Sequence, residues 1–243
     1  MKIVSIHQPA YLPWLGYFHK AALSDVFIFL DTVQFEKNSF TNRNRIMTGQ
    51  GPIWLTVPLT QKGHIQKKLT EMQITDSDPW KKKHIKSIRL NYSKTPHFNK
   101  YFEEIENSIS QAGVSFCDFV YSMTSYFFRL LNIDTSFVRS SNLPVSGEKA
   151  SLVKNLCKHF QADIYISGAL GRDYLNKDEF MKEGIKVIFQ DYIHPSYSQL
   201  SRTFESGMGI IDVLMNLGAS KTKDLIFSGN VTRVQVEEAN NAS

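Results

Sequence analysis

Cysteine is almost absent from this chain: of 243 residues only Cys117 and Cys157 are cysteine. That scarcity excludes a disulfide scaffold, and with no metal-ligand spacing around them the two read as reduced, buried thiols. Long apolar runs are missing too. Val26-Phe-Ile-Phe-Leu30 has the length of a strand, far short of the roughly 18 apolar residues a membrane helix needs. Met1 to His7 lacks the charged, apolar and small-residue order of a signal peptide, so the expectation is a cytoplasmic protein with no membrane span. Glycine (13) and proline (8) are too few for a collagen-like or low-complexity chain. Neither sign of charge dominates: 28 Lys and Arg against 23 Asp and Glu leave +5, which suits anionic small molecules at least as well as nucleic acid. The 42% hydrophobic content supports an ordinary buried core.

The apolar pattern opens as strand, loop, helix, strand. Ile3 to Ile6 is β-branched, Leu15 to Leu23 is amphipathic, and Val26 to Leu30 reads as a strand buried on both faces that delivers Asp31 at its end. This is a βαβ unit, and ligands of such sheets bind beyond the strand C-termini, where His7 and Asp31 fall. Residues 36–51 read as a polar loop, followed by a short strand at Trp54 to Pro58 and a basic loop at 61–68. Helical spacing covers Trp80 to Arg89, Pro96 to Gln111 and Phe119 to Leu131. The sheet pattern then returns with strands at Ser136 to Arg139, Asp163 to Ser167 and Lys186 to Gln190, a helix at Lys149 to Phe160, and a last helix from Gly209 that Gly218 caps. The tail after Gly229 is expected to fray. The fold class is therefore α/β: a mostly parallel, Rossmann-like sheet in a single domain over 1–243, with a mainly helical insertion at about 60–135.

Three clusters carry candidate chemistry. His7-Gln8-Pro9 follows the first strand with Tyr11, Trp14 and Tyr17 behind it; His7 there serves as a general base, holds a phosphate, or is a loop histidine bonded to backbone. Asp31 and Gln34 end the second strand, and Asn42-Arg-Asn-Arg45 follows. Arg43 and Arg45 can clamp a diphosphate or a carboxylate bidentately, or form a solvated basic loop; on a strand they would share one face. The third cluster is Ser167-Gly168 with Arg172, Asp173 and Tyr174, either a ligand-cradling turn or a plain one. His194-Pro-Ser-Tyr197 can close the same pocket. No Walker loop, dinucleotide fingerprint or nucleophile elbow is present, and the seven histidines, His64 among them, make no pair at metal-ligand spacing. Lys67-Lys68 and Lys81-Lys-Lys83 near Trp80 and Tyr92 are the features that favour nucleic acid, and solvated helix faces explain them better.

Read together, His7-Gln-Pro-Ala-Tyr-Leu-Pro-Trp-Leu-Gly-Tyr-Phe18, Leu30-Asp-Thr-Val-Gln-Phe35, Asn42-Arg-Asn-Arg-Ile46, Trp54-Leu-Thr-Val-Pro58, Tyr165-Ile-Ser-Gly168, His194-Pro-Ser-Tyr197 and Ile211-Asp-Val-Leu-Met-Asn-Leu-Gly218 resemble the WbqC-like family over nearly the whole chain. The resemblance implies a part in bacterial O-antigen or other surface-polysaccharide synthesis. A fainter resemblance, over Ile3 to Phe35 with Gly16, Lys20 and Gln34, is to nucleotidyltransferase-like adenylating enzymes such as pantothenate synthetases. Those hold ATP with a His-x-Gly-His pair; here Trp14, Gly16 and Tyr17 stand at the matching positions, leaving His7 or His19 to substitute.

The leading expectation is a transferase that attaches an acyl or aminoacyl group to a nucleotide-linked amino sugar. His7 or Asp31 would be the base and Arg43 and Arg45 would hold the diphosphate. Gln8, Tyr11, Trp14, Lys20, Gln34, Asn42, Asn44, Ser167, Gly168, Asp173, Tyr174, His194 and Tyr197 would line the substrate site. The alternatives are an ATP-dependent ligase using magnesium, and a non-catalytic module that binds a sugar nucleotide or an acyl-carrier protein.

Overall fold

The computed structural model describes residues 1–37, 39–60, 67–75 and 79–241. The basic loop expected at 61–68 lies outside these except for Lys67 and Lys68, and so does His64. The opening βαβ unit forms as its pattern dictates: β1 (Ile3–His7) leads through α1 (Leu15–Ala22) to β2 (Val26–Phe29), and the strands pair in parallel with His7 opposite Phe29. Alternate β2 residues feed opposite layers, Phe27 and Phe29 packing on the α1 side and Val26 and Ile28 on the other.

The next segment departs from expectation. Within the supposed polar loop lies β3 (Arg43–Thr48), which pairs antiparallel with β4 (Gly51–Thr56), Arg45 opposite Trp54. Arg43 and Arg45 share one face of this hairpin while Asn44, Ile46 and Met47 are buried. Asn44 is tolerated inside because its amide donates to the Leu12 carbonyl (2.6 Å) and accepts from the Arg45 N–H (2.8 Å). Helices α2 (Trp80–Tyr92), α3 (Phe98–Ser110) and α4 (Phe116–Leu130) follow, and β5 (Ser136–Arg139) then joins β2 in parallel. One large, aromatic-rich core unites α1 with these three helices: Phe18 and Phe27 meet Phe127 and Phe128 of α4, and Tyr92 of α2 and Phe102 of α3 belong to the same cluster.

Beyond β5, α5 (Lys149–His159), β6 (Ile164–Ser167), α6 (Lys177–Met181) and β7 (Lys186–Phe189) complete the sheet. The strand order is β5-β2-β1-β6-β7, all parallel, with α1 on one face and α5 on the other. This is the Rossmann-like arrangement the apolar pattern predicts. The strands are added outward in one direction from β1 to β5 and in the other from β6 to β7, so the crevice at the C-terminal ends of β1 and β6 is the topological switch point where such sheets bind ligands.

At the C-terminus one expectation holds in part and one is corrected. The helix from Gly209 does stop at Gly218, where a left-handed φ of 78° with ψ of 166° breaks α7 (Ile210–Phe227), but it is not the last, because a second helical stretch continues beyond the break to Phe227. A Cβ at Gly218 would also stand 2.8 Å from the His97 ring. Gly218→Ala is therefore expected to cost about 2 kcal/mol, read as a lower denaturant midpoint at unchanged m. The tail does not fray but forms α8 (Arg233–Asn241), docked by an Arg233–Asp25 ion pair (2.8 Å) and by Val236 buried with Ile3, Leu23 and Ile164. Polar composition hid this helix, whose docked apolar side chain is Val236.

Both cysteines are free and buried, and burial pushes the Cys117 thiol up to about 12, as small core side chains would be. Among the described residues no helix is long and apolar enough to cross a membrane, and no cluster of His, Cys, Asp and Glu could hold a metal ion.

Candidate functional site at the sheet's C-terminal edge

His7 ends β1 on the α1 side. Its Nδ1 lies 2.8 Å from the Gln8 carbonyl, which can only accept, so Nδ1 carries the proton and Nε2 presents a lone pair. Burial first, and the Lys20 charge second, draw the imidazole down to about 3 against the opposing Gln8 bond. His7 is thus neutral at ordinary pH. Its ring meets Tyr17 and Trp14 edge-on at 4.7 and 5.6 Å.

From Trp14 an aromatic path leads out to the hairpin. Trp14 lies 6.0 Å from Phe40, and Phe40 lies 5.6 Å from Trp54. Over the Trp54 ring sit the guanidinium groups of Arg43 (4.4 Å) and Arg45 (5.9 Å). Phe40 and Trp54 are 44% and 45% exposed, enough ring face to stack on a ligand. Two arginines sharing one indole thus stand beside open aromatic faces, within one connected layer that reaches His7.

The segment from Gln190 to Gly209, between β7 and α7, straps across this edge. The Gln190 side-chain amide donates to the Gly16 carbonyl (2.9 Å) and lies 2.8 Å from His19 Nδ1. Tyr192 packs on Gly16, where a Cβ would come within 3.0 Å of its ring. Arg45 donates to the Ser206 carbonyl (2.8 Å), and the Gly209 N–H donates to the Arg45 carbonyl (2.9 Å). Asp212, buried in the first turn of α7, anchors the strap: it accepts from Tyr197 (2.7 Å), Gln199 (3.2 Å) and, from α2, Tyr92 (2.5 Å). Burial holds its carboxyl above the ordinary range, against the pull of those three donors. Sequence reasoning missed Asp212, although a lone acid inside the apolar run Ile210–Met215 was a signal that buried donors must wait for it.

Several buried polar atoms around this edge have no hydrogen-bond partner among the described residues: His194 Nε2, Tyr192 Oη, Tyr17 Oη and Arg45 Nε. Such orphans are rare in folded interiors and mark a place where water or a ligand supplies the partner.

The remaining expected residues divide by what they touch. Lys20, Ser167 and Gly168 gather at the switch point: Lys20 Nζ donates to the Ile6 carbonyl (2.9 Å), and a Cβ on Gly168 would lie 3.9 Å from Nζ. Tyr11 turns the other way, its hydroxyl 2.9 Å from His84 on α2 and its ring beside Phe119. Asn42 is tied to the Val57 carbonyl (2.8 Å). Both Asp31 oxygens are engaged, Oδ1 by the Ser140 hydroxyl and Ser141 N–H (2.9 Å each), Oδ2 by Arg139 Nε (2.7 Å) and the Ser141 hydroxyl (2.8 Å). Gln34 pairs through its backbone with Lys68 and is exposed, as are Asp173 and Tyr174 at the turn after Gly168. Trp80 and Tyr92, weighed as base-stacking residues, are buried.

A family model described as the WbqC-like protein family matches residues 8–224, a span running from Gln8 through the hairpin, the switch-point crevice, the strap and most of α7. An uncharacterized protein of Mycobacterium tuberculosis is 35% identical over 228 residues, covering 90% of this chain and 95% of its own length.

Proposed function

The chain belongs to the WbqC-like protein family, and from that membership we propose that it acts in surface-polysaccharide synthesis, transferring an acyl or aminoacyl group to a nucleotide-linked amino sugar. The observation that carries this reading is the platform of Arg43 and Arg45 over Trp54, continued by Phe40 and Trp14 towards His7. Guanidinium groups match the oxygens of a diphosphate, and open indole and phenyl faces stack on a base or on the apolar face of a sugar.

In this reading the diphosphate docks on the two arginines and the sugar reaches inward along the aromatic layer. The sugar ammonium donates to His7 Nε2, and the nearby negative charge of the substrate raises the imidazole from its low resting basicity so that it can take the proton. The neutral amine then attacks the carbonyl carbon of a carrier-bound acyl or aminoacyl thioester, the amide C–N bond forms as the C–S bond breaks, the departing thiolate takes the proton held by His7, and the amide nitrogen's surplus proton passes to water. His7 is the base here rather than Asp31, because each Asp31 oxygen already accepts from two donors.

The test is calorimetric titration of the purified chain with UDP- and dTDP-linked amino sugars. Saturable binding is expected, weakened at least tenfold in Arg43→Ala, an effect of about 1.4 kcal/mol or more. In His7→Ala binding should persist while turnover with an acyl donor falls at least a hundredfold. Binding of ATP with magnesium but of no sugar nucleotide would transfer the protein to the ligase class.

A further inference from the structure

Lys20 is an unusual lysine. It is 2% exposed, and among the described residues its Nζ makes one hydrogen bond, to the Ile6 carbonyl, and no ion pair. An ammonium has three protons to donate, so this one enters the fold with most of its capacity unused. Burying a cation without a counter-ion is costly, and folds that retain one usually employ it. Burial alone draws its basicity down to about 7.

Its position explains what reaches it. Nζ lies at the switch point, held against the end of β1 and directly under Gly168, the first residue beyond β6. Gly168 is half-buried, with φ of −68° and ψ of 166°, a conformation open to any residue. Backbone geometry therefore does not demand glycine here; the ammonium lies just beneath the surface, and with no side chain at 168 the Gly168 backbone alone lies over it on that side. The titratable group coupled to Lys20 among the described residues is His7, which is neutral, so Lys20 is the positive charge this place offers. A phosphoryl dianion placed there would leave a negative charge uncompensated in a desolvated site, whereas a carboxylate matches the single cation.

We propose that the crevice between the ends of β1 and β6 is a carboxylate-binding site, in which the Lys20 ammonium, reached past Gly168, is the counter-ion. The carboxylate belongs either to an acyl or amino-acid substrate or to a uronic sugar, and the chemistry of recognition is the same for both. The site stands apart from the arginine platform and holds whether or not a sugar nucleotide docks there.

The experiment is an amide NMR titration of the full-length ¹⁵N-labelled chain with sodium acetate, glycine, glucuronate and inorganic phosphate at constant ionic strength. Acetate is expected to move the Gly168 and His7 amides saturably. Because only the protonated amine binds, affinity should be about tenfold weaker at pH 8 than at pH 6. A tighter response to glycine assigns the site to an amino-acid donor, and a tighter response to glucuronate assigns it to a sugar acid. The response should vanish in Lys20→Met. It should also fall in Gly168→Val, which keeps the lysine and covers it, so the proposal remains testable even if the first variant misfolds. Undiminished acetate binding in either folded variant would overturn it, as would phosphate binding more tightly than acetate at these amides, or no saturable shift in the parent chain. The acetate arm contains neither nucleotide nor sugar, so its failure would leave the reading of the arginine platform untouched.

Discussion

Asp31→Ala should melt about 6 to 20 °C below the parent chain. The carboxylate is fully buried and holds four donors, from Arg139, Ser140 and Ser141. Arg139 also pairs with Asp118, but its Nε faces Asp31, and the Arg139 side chain is only 18% exposed. Removing one partner of a buried ion pair strands the other, a loss of roughly 3 to 5 kcal/mol. In a domain of this size each kcal/mol moves the midpoint by about 2 to 4 °C. Asp31→Asn, which keeps the shape and one acceptor, should fall between the two. The same series separates anchor from base: if Asp31 abstracts a proton, Asp31→Asn would lose turnover while melting close to the parent, and that result would sink the structural assignment made above.

Lys20→Met has the opposite sign. A nearly isosteric apolar side chain would remove the desolvation that now opposes folding, at the loss of one hydrogen bond to the Ile6 carbonyl. The pH dependence follows from linkage. The amine titrates near 10.5 in the unfolded chain and near 7 in the folded one. Between those values the unfolded chain holds a proton that the folded chain has released, so the parent gains stability as pH rises from about 7 to about 10.5, and below 7 the whole burdening term is present. The shift sets an upper limit of about 5 kcal/mol; with the lost hydrogen bond subtracted, a gain of about 2 to 3 kcal/mol is expected at pH 6, shrinking towards zero near pH 10. Melting curves of both chains at pH 6 and pH 9.5 measure it. A variant less stable than the parent at pH 6 would mean that Lys20 has a native counter-ion. Stability surrendered in this way is common at sites that must receive a charge.

The sheet was legible because its strands are short apolar runs, buried on both faces in β1 and β2 and half-buried at the edges β5 and β7, so all four stand within a residue or two of where those runs place them. The hairpin was not, because the inward positions of β3 include Asn44, whose burial depends on the Leu12 carbonyl, a partner 32 positions away that no local pattern reveals. What the sequence did allow was the condition that Arg43 and Arg45 would share a face if they lay on a strand, and β3 meets it. The site divided for a related reason. Residue type singled out His7, Lys20, Arg43 and Arg45, which gather at the edge, but equally Tyr11 and Asp31, whose polar atoms are consumed by His84 and by the turn after β5. Whether a polar side chain is a site or a strut depends on its partners, and those come from elements far away in sequence. The strap shows the same limit: Gln190 and Tyr192 meet His19 and Gly16 only once β7 is in place.

The strand order also governs how the protein emerges from the ribosome. The central strand β1 is made first, yet one of its two neighbours, β6, lies near residue 164, and β2 waits for β5 at residue 136. Until those strands are synthesised, β1 presents an open edge and the Val4, Ile6 and Ile28 face has no α5 to cover it. Pairings this distant close late and slowly. For most of translation the nascent chain therefore displays a sticky parallel ribbon, a natural client for a chaperone near the exit tunnel. The crevice that holds Lys20 comes into being only when the last third of the polypeptide arrives.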